Sequence, residues 1–170
     1  MSVDLLFRSL STEKELGKLL EFLSRQSLGY PGYQDWVMRS EHEINAGYKK
    51  AILGLSREKL VANVIYQSHK QIGRIREIKN LRVAPEARNM GIGRFLLRQA
   101  ETEDRGEYDV VLCDVRSEQK DVISMLALSG YASIGQRPIY DSGHEDMVLV
   151  KSFESEKGSM LVQQAKSLIL

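Results

Sequence analysis

The chain has 170 residues, the length of one domain with a substantial core. Hydrophobic residues make up 42% and charged residues 28%, and 24 basic against 23 acidic side chains leave a formal net charge of +1, without the excess that holds nucleic acid or an anionic membrane surface. No apolar run approaches the roughly 18 residues of a membrane span and the first residues lack a signal-peptide layout, so a cytoplasmic protein is expected.

Residues 3–8, VDLLFR, read as a first strand. A helix follows: Thr12 and Glu15 have capping-box spacing, and Leu16, Leu19, Leu20 and Leu23 recur at helical period. Gly29, Pro31 and Gly32 end it, and a second helix is predicted over 34–45, closed by Gly47. Three strands are expected at 48–56, 59–68 and 72–83, with turns so short that they must form an antiparallel meander. Pro85 and a glycine stretch stop the strand pattern. From Ile92 the spacing turns helical, with Ile92, Phe95, Leu96 and Ala100 on one stripe. YDVVLCDV at 108–115 is a nearly continuous apolar run, as in a strand covered on both faces. Its helical link to the preceding strand predicts a parallel pair. A helix at 118–129, ended by Gly130, and strands at 131–140 and 145–153 complete the order βααβββαβαββ, an α/β layered domain with one central βαβ unit. Residues 1–153 are taken as this domain. Residues 154–170 form a C-terminal extension, helical in pattern, that either packs on its own domain or contacts a second subunit as a homodimer.

The single cysteine, Cys113, excludes an internal disulfide, and its place in VVLCDV suits a small buried hydrophobe rather than a nucleophile. His42, His69 and His144 are far apart, and no metal site is expected.

The segment PEARNMGIGRFLLRQAE places Gly91 and Gly93 where a helix begins. The first amides of a helix have no intrahelical acceptor and carry the positive end of its dipole, so removing side chains there lets a phosphate approach. Asn89 tolerates left-handed backbone, and Arg88 and Arg94 add charge. The alternative is a tight strand-to-helix turn that binds nothing. No Walker sequence is present, and Leu96 stands where a dinucleotide fingerprint needs its third glycine.

In its context, LRVAPEARNMGIGRFLLRQAE resembles the acetyl-CoA motif of the GNAT superfamily of N-acetyltransferases: Arg88, Asn89, Met90, Gly91, Ile92, Gly93, between a strand and a helix, with matching element order from about residue 3 to 153. The resemblance implies a mixed central sheet with helices on both faces, whose parallel strands splay apart to admit the pantetheine arm. It implies backbone pairing of that arm by Leu81, Arg82 and Val83, and pyrophosphate binding by Asn89, Met90, Gly91, Ile92, Gly93 and Arg94 beside Arg88. The Arg82 side chain alternates away from Leu81 and Val83 and is assigned no chemistry of its own.

The implied reaction is direct acetyl transfer from acetyl-CoA to a primary amine in a ternary complex. Glu77 lies eleven residues before Arg88, the spacing at which histone-acetylating members carry their general base. It shares strand phase with Ile75 and Lys79, and the plainer reading is an exposed glutamate paired with Arg76 or Lys79. Where many members place a proton-donating tyrosine, five residues before Tyr131, this chain has Leu126, and the associated asparagine position is Gln119. Tyr140 is the substitute donor, against a packing role or protonation by solvent. Members build the acceptor site from the first two helices and the last hairpin. Tyr30, Tyr33, Trp36 and Tyr140 lie there beside Asp35, Glu41, Glu43, Glu145 and Asp146, a mixture that suits a cationic amine or a merely solvated acidic face. The rival function is a non-catalytic CoA-binding regulatory module on the same fold. A third is a protein-interaction domain.

Overall fold

A computed structural model describes residues 4–153 and 155–170. Val3, the predicted first residue of the opening strand, and Glu154, the predicted start of the extension, lie outside the described residues. The elements run β1 (Leu5–Ser9), α1 (Glu13–Ser24), α2 (Tyr33–Asn45), β2 (Lys49–Ser56), β3 (Lys59–Ser68), β4 (Ile75–Val83), α3 (Ile92–Thr102), β5 (Val110–Arg116), α4 (Lys120–Leu128), β6 (Ala132–Arg137), β7 (Asp146–Ser152) and α5 (Ser155–Ile169). This is the predicted order, a mixed α/β fold. The strands are ordered β1-β2-β3-β4-β5-β7-β6, and β4 with β5 is the parallel pair.

The differences lie at element ends and have local causes. β4 starts at Ile75 rather than at residue 72, because the amides of Gln71 and Ile72 donate to His69 Nδ1 at 3.1 and 3.0 Å and Arg74 is left-handed at φ 63°. β6 ends at Arg137 rather than at 140. Pro138 has no amide to donate, and the Ile139 amide is taken by Asp146 Oδ2 at 3.1 Å. Short 3-10 turns, absent from the sequence reading, occupy Pro85–Ala87 and Arg105–Glu107.

The chain forms two compact units, and β4 contributes to both. The first runs up to Gln67 and adds Lys79–Glu101. Its α1 begins with the predicted capping box: Thr12 Oγ1 accepts from the Glu15 amide at 3.2 Å, while Glu15 Oε2 accepts from the Ser11 and Thr12 amides at 2.9 and 3.2 Å. The Ser11 amide bond, aided by Arg8 at 2.6 Å, holds the Glu15 carboxyl below its ordinary pKa. Leu19 and Leu23 of α1 and Tyr33 and Val37 of α2 close over Leu53, Leu55 and Ile65. Phe7 and Gly54 are directly opposed in the β1–β2 register, on the alternate face from Leu53 and Leu55, and Phe7 meets Phe95 of α3 with ring centroids 4.4 Å apart. Helices therefore flank both faces of this unit's strands. A Cβ on Gly54 would lie 3.1 Å from the Phe7 ring, so the glycine makes room for that contact.

The second unit comprises Ser68–Ile78 and the chain from Thr102 onward. Its core joins Ile75 of β4, Val110 and Leu112 of β5, and Val148 and Val150 of β7, covered by α5 through Ala165, Leu161, Val162 and Ile169. The extension thus packs on its own domain. The parallel register matches Ile75–Ile78 with Val110–Cys113 and ends there, so Lys79–Val83 continues past the last pair with β5.

Candidate active site

In the first unit, β4 ends where the Ala84 amide donates to Val61 O at 2.7 Å, and Pro85 opens the 3-10 turn. Asn89 (φ 60°) and Gly91 (φ 76°) are left-handed, which is what turns the chain into α3. The first bond into the helix runs from the Phe95 amide to Gly91 O at 3.0 Å, so the amides of Ile92, Gly93 and Arg94 precede any intrahelical bond. A Cβ at Gly91 would meet nothing within 4 Å, so the space beside this residue is open. Ile92 is buried and anchors the turn, while Arg88, Asn89 and Arg94 are exposed or nearly so. Arg88 Nε donates to Val83 O at 3.3 Å, tying the loop to the strand end. The arrangement supplies a row of donors and positive charge suited to a polyphosphate.

Arg82 lies between Leu81 and Val83 on the same stretch. Its Nη1 donates to Leu81 O at 3.2 Å, and the Tyr33 phenol oxygen faces the guanidinium. Burial lowers its pKa, an effect opposed by Tyr33 and Tyr30. Burial likewise raises the Tyr33 pKa, opposed by Arg82. Nothing in the sequence signals this contact, since strand phase alone turns Arg82 away from the expected cofactor arm.

In the second unit, Glu77 is paired in register with Leu112, on the face that carries Ile75 and Val110. Its side chain is only 14% exposed, and its Oε1 lies 3.8 Å from His69 Nε2. His69 Nδ1 accepts two backbone amides and is therefore unprotonated in the neutral ring, which leaves the proton on Nε2, toward Glu77. His69 was read from sequence as ordinary, because the hairpin that brings it to Glu77 is a tertiary feature. Tyr140 lies in the loop after β6, and its hydroxyl donates to Asp114 Oδ2 at 2.7 Å. The same loop is held by Arg116 Nη2 to Asp141 Oδ2 at 2.8 Å. Leu126 is buried in α4, Gln119 makes no side-chain cap, and Cys113 is buried in β5. Of the acidic residues expected around an amine, Glu43 is paired with Lys49 at 2.6 Å, and Asp146 is buried under the Ile139 amide. Among the described residues no group of three or more His, Cys, Asp or Glu is placed to hold a metal, and no helix is long and apolar enough to cross a membrane.

The mixed sheet with its parallel β4–β5 pair and the glycine loop opening α3 define an acyltransferase of the GNAT type. The chain belongs to the acetyltransferase (GNAT) family, whose profile matches residues 18–131. No curated protein matches the sequence. Among solved structures, a GNAT-family protein from Desulfovibrio desulfuricans superimposes with a TM-score of 0.77 at 13% identity, over 88% of this chain and 99% of that one. A ribosomal-protein-alanine N-acetyltransferase from Brucella melitensis gives 0.68 at 18% identity, over 87% and 99%. An acetyltransferase from Bacillus anthracis, in complex with acetyl coenzyme A, gives 0.57 at 12% identity, over 63% and 64%. Identities this low speak for the fold.

Proposed function

We propose that the protein transfers an acetyl group from acetyl-CoA to the nitrogen of a primary amine, directly and in a ternary complex. The observation that carries this is the left-handed Gly91 followed by three helix-start amides with no intrahelical acceptor, in a chain of this family. Asn89, Met90, Gly91, Ile92, Gly93 and Arg94 hold the CoA pyrophosphate, Arg88 and Arg94 add charge, and the backbone of Leu81, Arg82 and Val83 pairs with the pantetheine arm. The related Bacillus anthracis structure contains acetyl coenzyme A, which supports this ligand.

The amine nitrogen attacks the thioester carbonyl, a C–N bond forms and the C–S bond breaks. Glu77 takes the amine proton, with His69 Nε2 3.8 Å from its carboxylate. The thiolate takes its proton from solvent or from Tyr140. Because the Tyr140 proton is already held by Asp114, solvent is the simpler donor. That missing donor favours a second reading, a CoA-binding regulatory module without turnover.

Thermal unfolding with and without excess acetyl-CoA, with ATP and NAD as controls, tests the site. A ligand at about 100 times its dissociation constant stabilises by about 2.7 kcal/mol, a shift of several degrees. The shift is expected with acetyl-CoA alone and lost in Gly91→Glu, which sets a strained side chain and a carboxylate at the phosphate position. No shift with any ligand removes the reading. Release of CoA on adding amines then separates the enzyme from the module.

A further inference from the structure

Arg82 is a partly buried charged side chain without a counter-charge. Its Nε is buried and has no hydrogen-bond partner, Nη1 reaches only the carbonyl of neighbouring Leu81, and no carboxylate among the described residues pairs with it. The groups around it are the phenols of Tyr30 and Tyr33 and a second cation, Arg88. Tyr33 donates its own proton to Leu23 O at 2.9 Å, so its oxygen has only lone pairs to offer the neighbouring guanidinium. Buried charges in proteins are as a rule paired, because leaving one unpaired forfeits its hydration for nothing in return. A short way along β4, Asn80 accepts from Asn63 Nδ2 at 2.9 Å, while the buried Asn63 Oδ1 has no partner. Both orphaned atoms belong to the β3–β4 part of the first unit.

We propose that Arg82, oriented by Tyr33, is the specificity-determining site for a carboxylate carried by the acceptor, so that the substrate is an amino-acid-like or peptide-like amine with a free acid group. This rests on the acetyltransferase reading and deepens it. A planar guanidinium presents Nε and Nη in a fork that matches a carboxylate, and one guanidinium balances one negative charge. The phenols beside it come from the α1–α2 connection and the start of α2, whereas the phosphate donors come from the glycine loop. Arg88, the nearby cation, already spends its Nε on Val83 O.

The test compares free amino acids and short peptides with their matched carboxamides, on the full chain with acetyl-CoA, following CoA release and the fluorescence of the sole tryptophan. Trp36 stacks on Tyr33 at 5.7 Å and reports the site directly. Acids are expected to be used with a KM at least about tenfold below their carboxamides, and Arg82→Met to raise the KM of the acids roughly 10- to 100-fold with a smaller change in kcat. Acetyl-CoA, held by backbone, should bind the variant within about threefold of wild type, and Arg82→Lys, which keeps the charge and loses the fork, should recover only part of the acid preference. If Arg82→Met does not fold, the acid-against-carboxamide comparison on the wild-type chain decides alone. Carboxamides used as well as acids overturn the proposal, and so does an Arg82→Met that weakens acetyl-CoA while leaving the acid preference intact, which would place the anion on the coenzyme. A chain that binds no acetyl-CoA fails the acetyltransferase reading and this inference together, an outcome distinct from one that releases CoA but ignores the carboxylate.

Discussion

Glu77 shows how little a strand position says about a side chain until its neighbours are known. The alternation of β4 put it in phase with Ile75, and the β4–β5 register sets it against Leu112. Its neighbour His69 comes from the far side of a hairpin turn, eight residues earlier and in a segment with no motif. A carboxylate that is mostly enclosed and faces an imidazole N–H has the position of a proton acceptor. Glu77→Gln keeps the shape and removes the proposed base, and should lower kcat by about 10² to 10⁴ while leaving the acetyl-CoA thermal shift in place. Steady-state CoA release checks this, and an unchanged kcat would take the base role away from Glu77. Gly91 is the complementary case. The turn was legible from its glycines, and the structure adds that the Gly91 backbone is left-handed and that the space beside it is open.

At the scale of elements, the C-terminal helix was the least determined part of the sequence. Leu161, Val162, Ala165 and Ile169 form an apolar stripe that would suit either its own domain or a second subunit. The structure places Ala165 against Ile75, Val110, Leu112, Val148 and Val150, with no accessible surface left. Ala165→Glu would bury a carboxylate with no counter-charge, a loss on the order of 3 kcal/mol or more. For a chain of this size that lowers Tm by roughly 6–12 °C. Thermal denaturation with light scattering checks it: a lower Tm at unchanged mass follows from the packing seen here, and an unchanged Tm with altered mass would assign the stripe to a subunit contact. Gly54 and Phe7 make the same point inside the sheet, because only the β1–β2 register shows that a missing side chain on one strand admits an aromatic ring on the next.

For the molecule as a whole, stability at low pH is set by carboxylates fixed at element boundaries in both units. Arg74 grips Asp109 through Nε at 2.6 Å and Nη2 at 2.8 Å, and this pair, foremost its hydrogen bond, lowers the Asp109 pKa. Glu15 is lowered chiefly by the Ser11 amide. In each case the folded pKa lies below the unfolded value of about 4, so the folded state binds fewer protons there. Their contribution is complete above the unfolded pKa and is lost as pH falls through the depressed folded value. Asp109→Asn should therefore lower stability at neutral pH and flatten the acid limb of a denaturation series run from pH 7 to pH 2. An unchanged slope would show that Asp109 titrates alike in both states.

The sequence by itself determined the order of strands and helices, the capping box at Thr12, the parallel β4–β5 pair and the glycine loop, and through that loop the family. Each of these is written in residues a few positions apart, where periodicity, capping and turn chemistry act locally. Tertiary structure decided where the parallel register stops, which face of the protein α5 covers, that His69 meets Glu77, and that Tyr140 is held by Asp114. It also turned Arg82 from a strand residue without a role into a partly buried cation beside Tyr33. Those outcomes depend on burial and on partners distant along the chain, and desolvation of a charge has no signature in a linear sequence.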